Sequence, residues 1–286
     1  MIDPFLQSFE HFSANGGAAA PEALRMLRLS AITRFETLGF PSTHNEDWHF
    51  TSVSPIVEGR FAPVTKATGS VTMTQLAPFS FGRPDWHLLV FVNGRFNAAL
   101  SCGDALPDGV RVLPLAEAFD ELPTLVEQHL GQIAAFDAHT FTALNTAFIN
   151  DGAVVHVTQD VEVARPIHLL FVSDAAATQG AVLPRNLIVL GRHAKATVIE
   201  SYAGLADSAY FTNAVTEAFI ADGATLTHLK LQLESPRAFH VGTLDVRQAR
   251  DSHFFSFSFA AGAALSRTNI YTELRGEGCG ATLNGL

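Results

Sequence analysis

Twelve histidines and two cysteines give this 286-residue chain its main capacity for metal and thiol chemistry. Their spacing limits how much of that capacity is usable. A zinc or iron site draws three or four ligands to one point, which short motifs such as His-Glu-x-x-His arrange on one helix face. No such pair occurs. His44 and His49 share their stretch with only Glu46 and Asp47 as further ligand types, and Trp48 and Phe50 read as anchors that hold a loop onto a helical region. Cys102 and Cys279 are too far apart for a paired-thiol motif and form no disulfide framework, which fits a reducing, cytoplasmic setting. Cys279 is the one weak candidate ligand for iron or persulfide sulfur, although a small cysteine in a turn more commonly fills space.

Nucleophile and carboxylate patterns add little. There is no Gly-x-Ser-x-Gly elbow, and Asp251-Ser252-His253 are adjacent, so a strand would scatter the three side chains. Gly276-Glu277-Gly278-Cys279-Gly280 looks like a dinucleotide loop, but no helix follows it to point its N-terminus at a phosphate. It reads as a tight corner. Asp160, Glu162 and Arg165 are the nearest local set to the acids and cations of a carbohydrate-cleaving cleft. The period-two spacing that puts Asp160 and Glu162 on one strand face is equally that of a solvated face. The residues themselves therefore assign no catalytic, cofactor-binding or metal site.

The elements that would position these groups fall into two halves. Helices are expected over Pro4–Phe12 and Pro21–Phe40, the latter from the stripe Leu24, Leu27, Ala31, Phe35 and Leu38, with a flexible Ala- and Gly-rich joint over Ser13–Ala20. Asn93-Gly94 between apolar runs predicts a hairpin over Trp86–Ser101, and helical spacing returns from Pro123 to about Phe148. After Asn150 short strands follow one another: Ala153–Val163, Ile167–Val172, Asn186–Leu190, Ala196–Tyr202, Ala214–Ile220, Thr225–Leu233, His240–Val246, His253–Phe259 and Thr268–Leu274.

From Ala194 onward, small-residue corners return about every 28 to 30 residues, the size of one coil of a flattened parallel β-helix. The expected fold is mainly β, a right-handed parallel β-helix over 151–286 preceded by a mostly helical domain over 1–150 with a small hairpin near 86–101. An antiparallel sandwich is the competing architecture. Ser252–Leu286 reads as strand, turn, strand, turn without a closing element, so the β-helix is expected to be truncated at its C-terminal end.

Composition narrows the class further. A net charge of -10 and a pI near 5.6, without clustered Lys or Arg, argue against a nucleic-acid partner. No apolar run approaches the roughly 18 to 20 residues that cross a bilayer, so no membrane partner is expected either.

Particular strings then become familiar. Gly39-Phe40-Pro41-Ser42-Thr43 precedes Glu46-Asp47-Trp48-His49-Phe50-Thr51; Phe141 to Phe148 is followed by Asp151-Gly152 and Arg165-Pro166-Ile167-His168. The tail carries Arg267-Thr268-Asn269-Ile270, Leu274-Arg275-Gly276-Glu277-Gly278 and Leu283-Asn284-Gly285-Leu286. Together they resemble the SufB/SufD family of iron-sulfur cluster assembly proteins over nearly the whole chain, most of all its SufD branch.

The resemblance implies a cytoplasmic, non-ATPase subunit, not an enzyme, that acts as scaffold or accessory partner of a SufB-like subunit and a SufC-like ATPase. The iron-sulfur cluster would be handled by the complex and no cofactor held by this stretch. The family's functional residues lie in segments this chain does not contain, so none is carried over. Cys279 stands where the family pattern has alanine. The alternatives are a β-helical carbohydrate-active enzyme and a β-sandwich binding module.

Overall fold

Alternating runs of β-branched and aromatic residues wind into two parallel sheets, and the phenylalanine-rich helices at the start of the chain pack against them. The computed structural model describes residues 3–15, 20–65, 69–83, 85–103 and 105–286. Within the expected joint Ser13–Ala20, residues 16–19 lie outside the described residues. Helices α1 (Asp3–Asn15) and α2 (Glu22–Leu38) form as the spacing predicts. Phe5, Phe9 and Phe12 recur on one face of α1 and are buried against Phe35 of α2 and Phe148. Next come α3 (Ser54–Gly59), β1 (Ala62–Pro63) and α4 (Met73–Leu76), whose Thr72 and Gln75 form a capping box.

The predicted hairpin is β2 (His87–Val92) and β3 (Arg95–Phe96), joined through Asn93 and Gly94, both at positive φ (51° and 78°). That geometry suits the right-handed twist of two antiparallel strands. β4 (Val110–Pro114) follows, and then α5 (Leu115–Glu121), α6 (Pro123–His129) and α7 (Thr140–Ala147). The helix expected over Pro123–Phe148 is thus two helices with residues 130–139 between them. Gly131 at φ 74° leaves the right-handed helical region. The backbone N–H groups of Gly131, Ile133 and Ala134 donate to the Glu217 carboxylate at 2.8–2.9 Å instead of to helical carbonyls.

The remaining strands are β5 (Ala153–Val157), β6 (Ile167–Ser173), β7 (Gly180–Val182), β8 (Arg185–Leu190), β9 (Lys195–Gly204), β10 (Phe211–Ile220), β11 (Thr225–Glu234), β12 (Phe239–Gln248), β13 (His253–Gly262), β14 (Leu265–Leu274) and β15 (Gly280–Gly285). They alternate between two sheets. One sheet contains β4, β5, β7, β8, β10, β12 and β14, with the short β1 at the edge of β7; the other runs β3-β2-β6-β9-β11-β13-β15. Apart from β4 with β5 and β2 with β3, every pairing is parallel. Strands β2 and β4, which precede residue 150, take part in the two sheets.

Register passes from Lys195 to Thr225 to His253 to Gly280, so the spaced corners are successive turns of one solenoid. Asp160, His193, Gly223, Asp251 and Gly278 form a column at one corner, each at positive φ, and each of the first four donates its backbone N–H to the following coil. The expected strand Ala153–Val163 therefore ends at Val157, because Asp160 turns the chain in the left-handed region. Between the sheets, Phe91, Phe171 and Tyr202 stack in register, at centroid distances of 4.7 and 5.0 Å. Leu, Ile and Val fill the early coils around them.

Candidate functional site

In the later coils the interior turns polar. Strand β11 alternates strictly, and its buried side is Leu226, His228, Lys230, Gln232 and Glu234, while Leu229, Leu231 and Leu233 face outward, half-buried. In β13, Ser256 points inward while Phe255 and Phe257 are 38% and 37% exposed. This inverts the usual rule that the apolar side of a strand faces the core.

Two connected groups occupy the space. Glu200 of β9 accepts hydrogen bonds from Tyr202 Oη and Thr216 Oγ1, both at 2.7 Å. His228 Nε2 stands 3.2 Å from Glu200 Oε1, an ion-pair distance without the alignment of a hydrogen bond. The second group begins at Glu234, which accepts from Thr212 Oγ1 (2.6 Å) and Gln232 Nε2 (3.1 Å) and meets His240 Nδ1 at 2.7 Å. His240 Nε2 meets Lys230 Nζ at 2.8 Å, and Lys230 also donates to Thr268 Oγ1 at 2.9 Å and lies over the Tyr202 ring. A side chain at Gly242 would run into the Lys230 ammonium, so the absence of a Cβ there makes room for the charge.

Burial and neighbouring charge set the protonation states. Burial by itself would raise Glu200, but the facing His228 and the hydroxyl hydrogen bonds bring it down to about 2. Burial brings Lys230 down to about 8, against the pull of Glu200 and Glu234. His240 is lowered by burial and by Lys230, against Glu234; Glu234 is lowered because His240 and its hydrogen bonds outweigh burial. Glu234–His240–Lys230 is therefore a continuous hydrogen-bonded path with Nδ1 of a neutral imidazole donating to the carboxylate and Nε2 accepting from the ammonium. Such a path can relocate a proton along its length, and it fixes one carboxylate and a cation inside the solenoid.

The residues singled out in the sequence lie elsewhere. The Cys279 thiol is half-buried in its corner and donates to Gly276 O at 2.8 Å and Ala249 O at 3.0 Å; Cys102 is exposed in an isolated bridge with Leu88. Asp251 and Ser252 form a corner, where Ser252 Oγ donates to Ala249 O, and His253 begins β13 with its side chain exposed. Glu162 pairs with Lys195 at the surface, and Arg165 reaches Asp85. Among the described residues no group of three or more His, Cys, Asp or Glu is placed to hold a metal ion. The Glu46–Thr51 segment has a packing role: Trp48 lies on Phe141, and Arg267 of β14 lies over Trp48 (4.1 Å) and donates to Thr51 Oγ1. The inward polar set was signalled by the strict alternation of 225–234, but alternation does not say which side faces in.

A two-sheeted parallel β-helix with helices packed on the outer faces of its sheets and a polar interior in its later coils defines a β-solenoid. The chain belongs to the SufBD family: the family model described as the SufBD protein N-terminal region matches residues 3–169, and the SUF system FeS cluster assembly, SufBD core domain matches 171–286. An iron-sulfur cluster assembly SufBD family protein of Synechocystis is 31% identical over 253 residues, 85% of this chain and 55% of its own length. The iron-sulfur cluster assembly protein SufD of Escherichia coli is 28% identical over 98% of this chain and 62% of its own length, and that of Bacillus subtilis 28% over 81% and 54%. The chain thus spans between half and two thirds of the length of these relatives.

Proposed function

We propose that the protein is a SufD-type, non-ATPase subunit of a SUF iron-sulfur cluster assembly complex, cytoplasmic, and a scaffold for a SufB-like subunit and a SufC-like ATPase without catalytic activity of its own. The observation that carries this is the match to the SufD of Escherichia coli over 98% of the chain, supported by a stacked β-helix of the family's type. The carboxylates that the β-helix gathers, Glu200 and Glu234, are buried inside it rather than set in an outer groove, which favours a scaffold over a carbohydrate-active enzyme. Co-expression of the tagged full-length gene product with the SufB- and SufC-type proteins of its own genome tests the reading. Recovery of both partners in stable stoichiometry is expected; recovery of the tagged protein alone, with both partners soluble in the same lysate, overturns it.

A further inference from the structure

Residues 130–139 run across the outer face of the sheet that contains β10, β12 and β14, and a side chain from each of these strands holds them there. Glu217 of β10 accepts the N–H groups of Gly131, Ile133 and Ala134. Arg247 of β12 donates to Gln132 O at 3.0 Å, and Tyr271 of β14 stacks on His139 at 4.7 Å. Glu217, Asp245 and Tyr271 are partners in the parallel register, so Asp245 stands at the centre of this footprint and on the same face. Neighbouring strands lie about 4.8 Å apart, which sets the Asp245 carboxyl beside that of Glu217.

Asp245 is the member of the row that nothing engages. Its half-buried carboxyl has no hydrogen-bond or ion-pair partner among the described residues. The nearby cations are committed elsewhere: Arg185 of β8 to Glu217, Asn145 and Thr146, and Arg247 to Glu273 of β14 and to Gln132 O. Glu217 is fixed as an anion by Arg185 and the three N–H groups, so Asp245 is the acid that yields to the repulsion by keeping a proton. Burial, and then the Glu217 charge, raise Asp245 to about 7, with Glu273 adding to them and Arg185 and Arg247 opposing. The other titratable groups around the row are Asp47, which acts with Asp245 to raise the Tyr271 phenol after burial itself, the exposed Asp137, His139 on Tyr271, and His129 on Phe219 at the end of α6.

We propose that Asp245 and Glu217 form a proton-controlled latch beneath residues 130–139: a neutral Asp245 lets Glu217 clamp the segment onto the sheet, and an ionised Asp245 puts two carboxylates side by side and loosens it. The sign follows from proton linkage. In the opened segment Asp245 is hydrated and ionises in its ordinary range, near pH 4, whereas the closed segment keeps the proton to about pH 7. The open form therefore gains as pH rises through that window, and gains no more above it. The latch does not depend on the SUF partnership proposed above.

Amide hydrogen exchange of the 286-residue chain tests it. Protection factors of Gly131, Ile133 and Ala134, which remove the intrinsic pH dependence of exchange, are expected to fall at least tenfold from pH 5 to pH 8 in the parent protein, and less than tenfold in Asp245→Asn. Histidine changes charge in the same range, so His129→Gln and His139→Gln serve as controls and are expected to keep the parent fall. Carbon-13 titration of the Asp245 carboxyl in the parent protein is expected to give a midpoint near 7, a readout that needs no variant. A fall below tenfold in the parent, a tenfold fall in Asp245→Asn, a fall abolished by either histidine variant, an equal fall at the amides of β9 and β11, or a carboxyl midpoint below 5 overturns the proposal.

Discussion

Individual side chains in the β-helix interior are held by charge as much as by packing. Lys230 is flanked by His240, Thr268 and the Tyr202 ring and has room only because residue 242 is glycine. Gly242→Ala is expected to cost about 1–3 kcal/mol, since a packed core does not yield easily to an added methyl group; urea unfolding measures it. Cys279→Ala is expected to cost less than about 1 kcal/mol, because the thiol is a weak donor to two carbonyls that lie at a solvent-accessible corner. His168 gives a pH test. Buried beneath Phe81 and bonded to Ser201, it has its pKa lowered by burial to about 4. The unfolded chain takes up a proton near pH 6.5 that the folded protein refuses until about pH 4. Stability therefore falls as pH drops through that window, by about 3 kcal/mol in all. His168→Gln removes this slope; urea midpoints between pH 7 and pH 4 that fall as steeply in the variant would contradict the assignment.

At the scale of elements, one buried ion pair ties the helical region to the solenoid. Arg185 of β8 and Glu217 of β10 are fully buried and meet at 2.6–2.9 Å; Arg185 also donates to Asn145 and Thr146 of α7, while Glu217 organises residues 131–134. Replacing one partner leaves an unpaired charge in the interior. Glu217→Ala is expected to destabilise by about 3–5 kcal/mol and to raise amide exchange of Gly131, Ile133 and Ala134 above that of the β-sheet core. Exchange at these three amides equal to the parent protein would show that the carboxylate does not hold the segment. The helix break at 130–139 was not legible in the sequence, because its apolar spacing is helical and the anion that captures its N–H groups comes from residue 217.

Across the whole molecule, the change from helical to strand character at residue 150 does not coincide with the start of the sheets. Strand β2 is the parallel neighbour of β6, and β4 borders β5. Removing residues 1–150 exposes the fully buried Ile167, Leu169 and Leu170 of β6 and the edges of both sheets. Residues 151–286 expressed alone are therefore expected to be insoluble or loosely packed. A dispersed amide spectrum from a soluble monomer would show that the early strands are dispensable.

The sequence alone determined the local geometry: the two opening helices, the Asn93-Gly94 hairpin, most strand positions and the corner period, because each depends on residues near one another in the chain. It also carried the family resemblance in its short motifs. Only the tertiary structure decided which side of β11 and β13 faces inward, since alternation is symmetric until a partner sheet is placed opposite it. The same holds for the Glu200–His228 contact, the Glu234–His240–Lys230 path and the packing of Arg267 over Trp48. Glu200 and His228 come from neighbouring coils, and Lys230, Glu234 and His240 from two consecutive strands of one coil whose side chains meet across the interior; alternation along one strand cannot show either meeting.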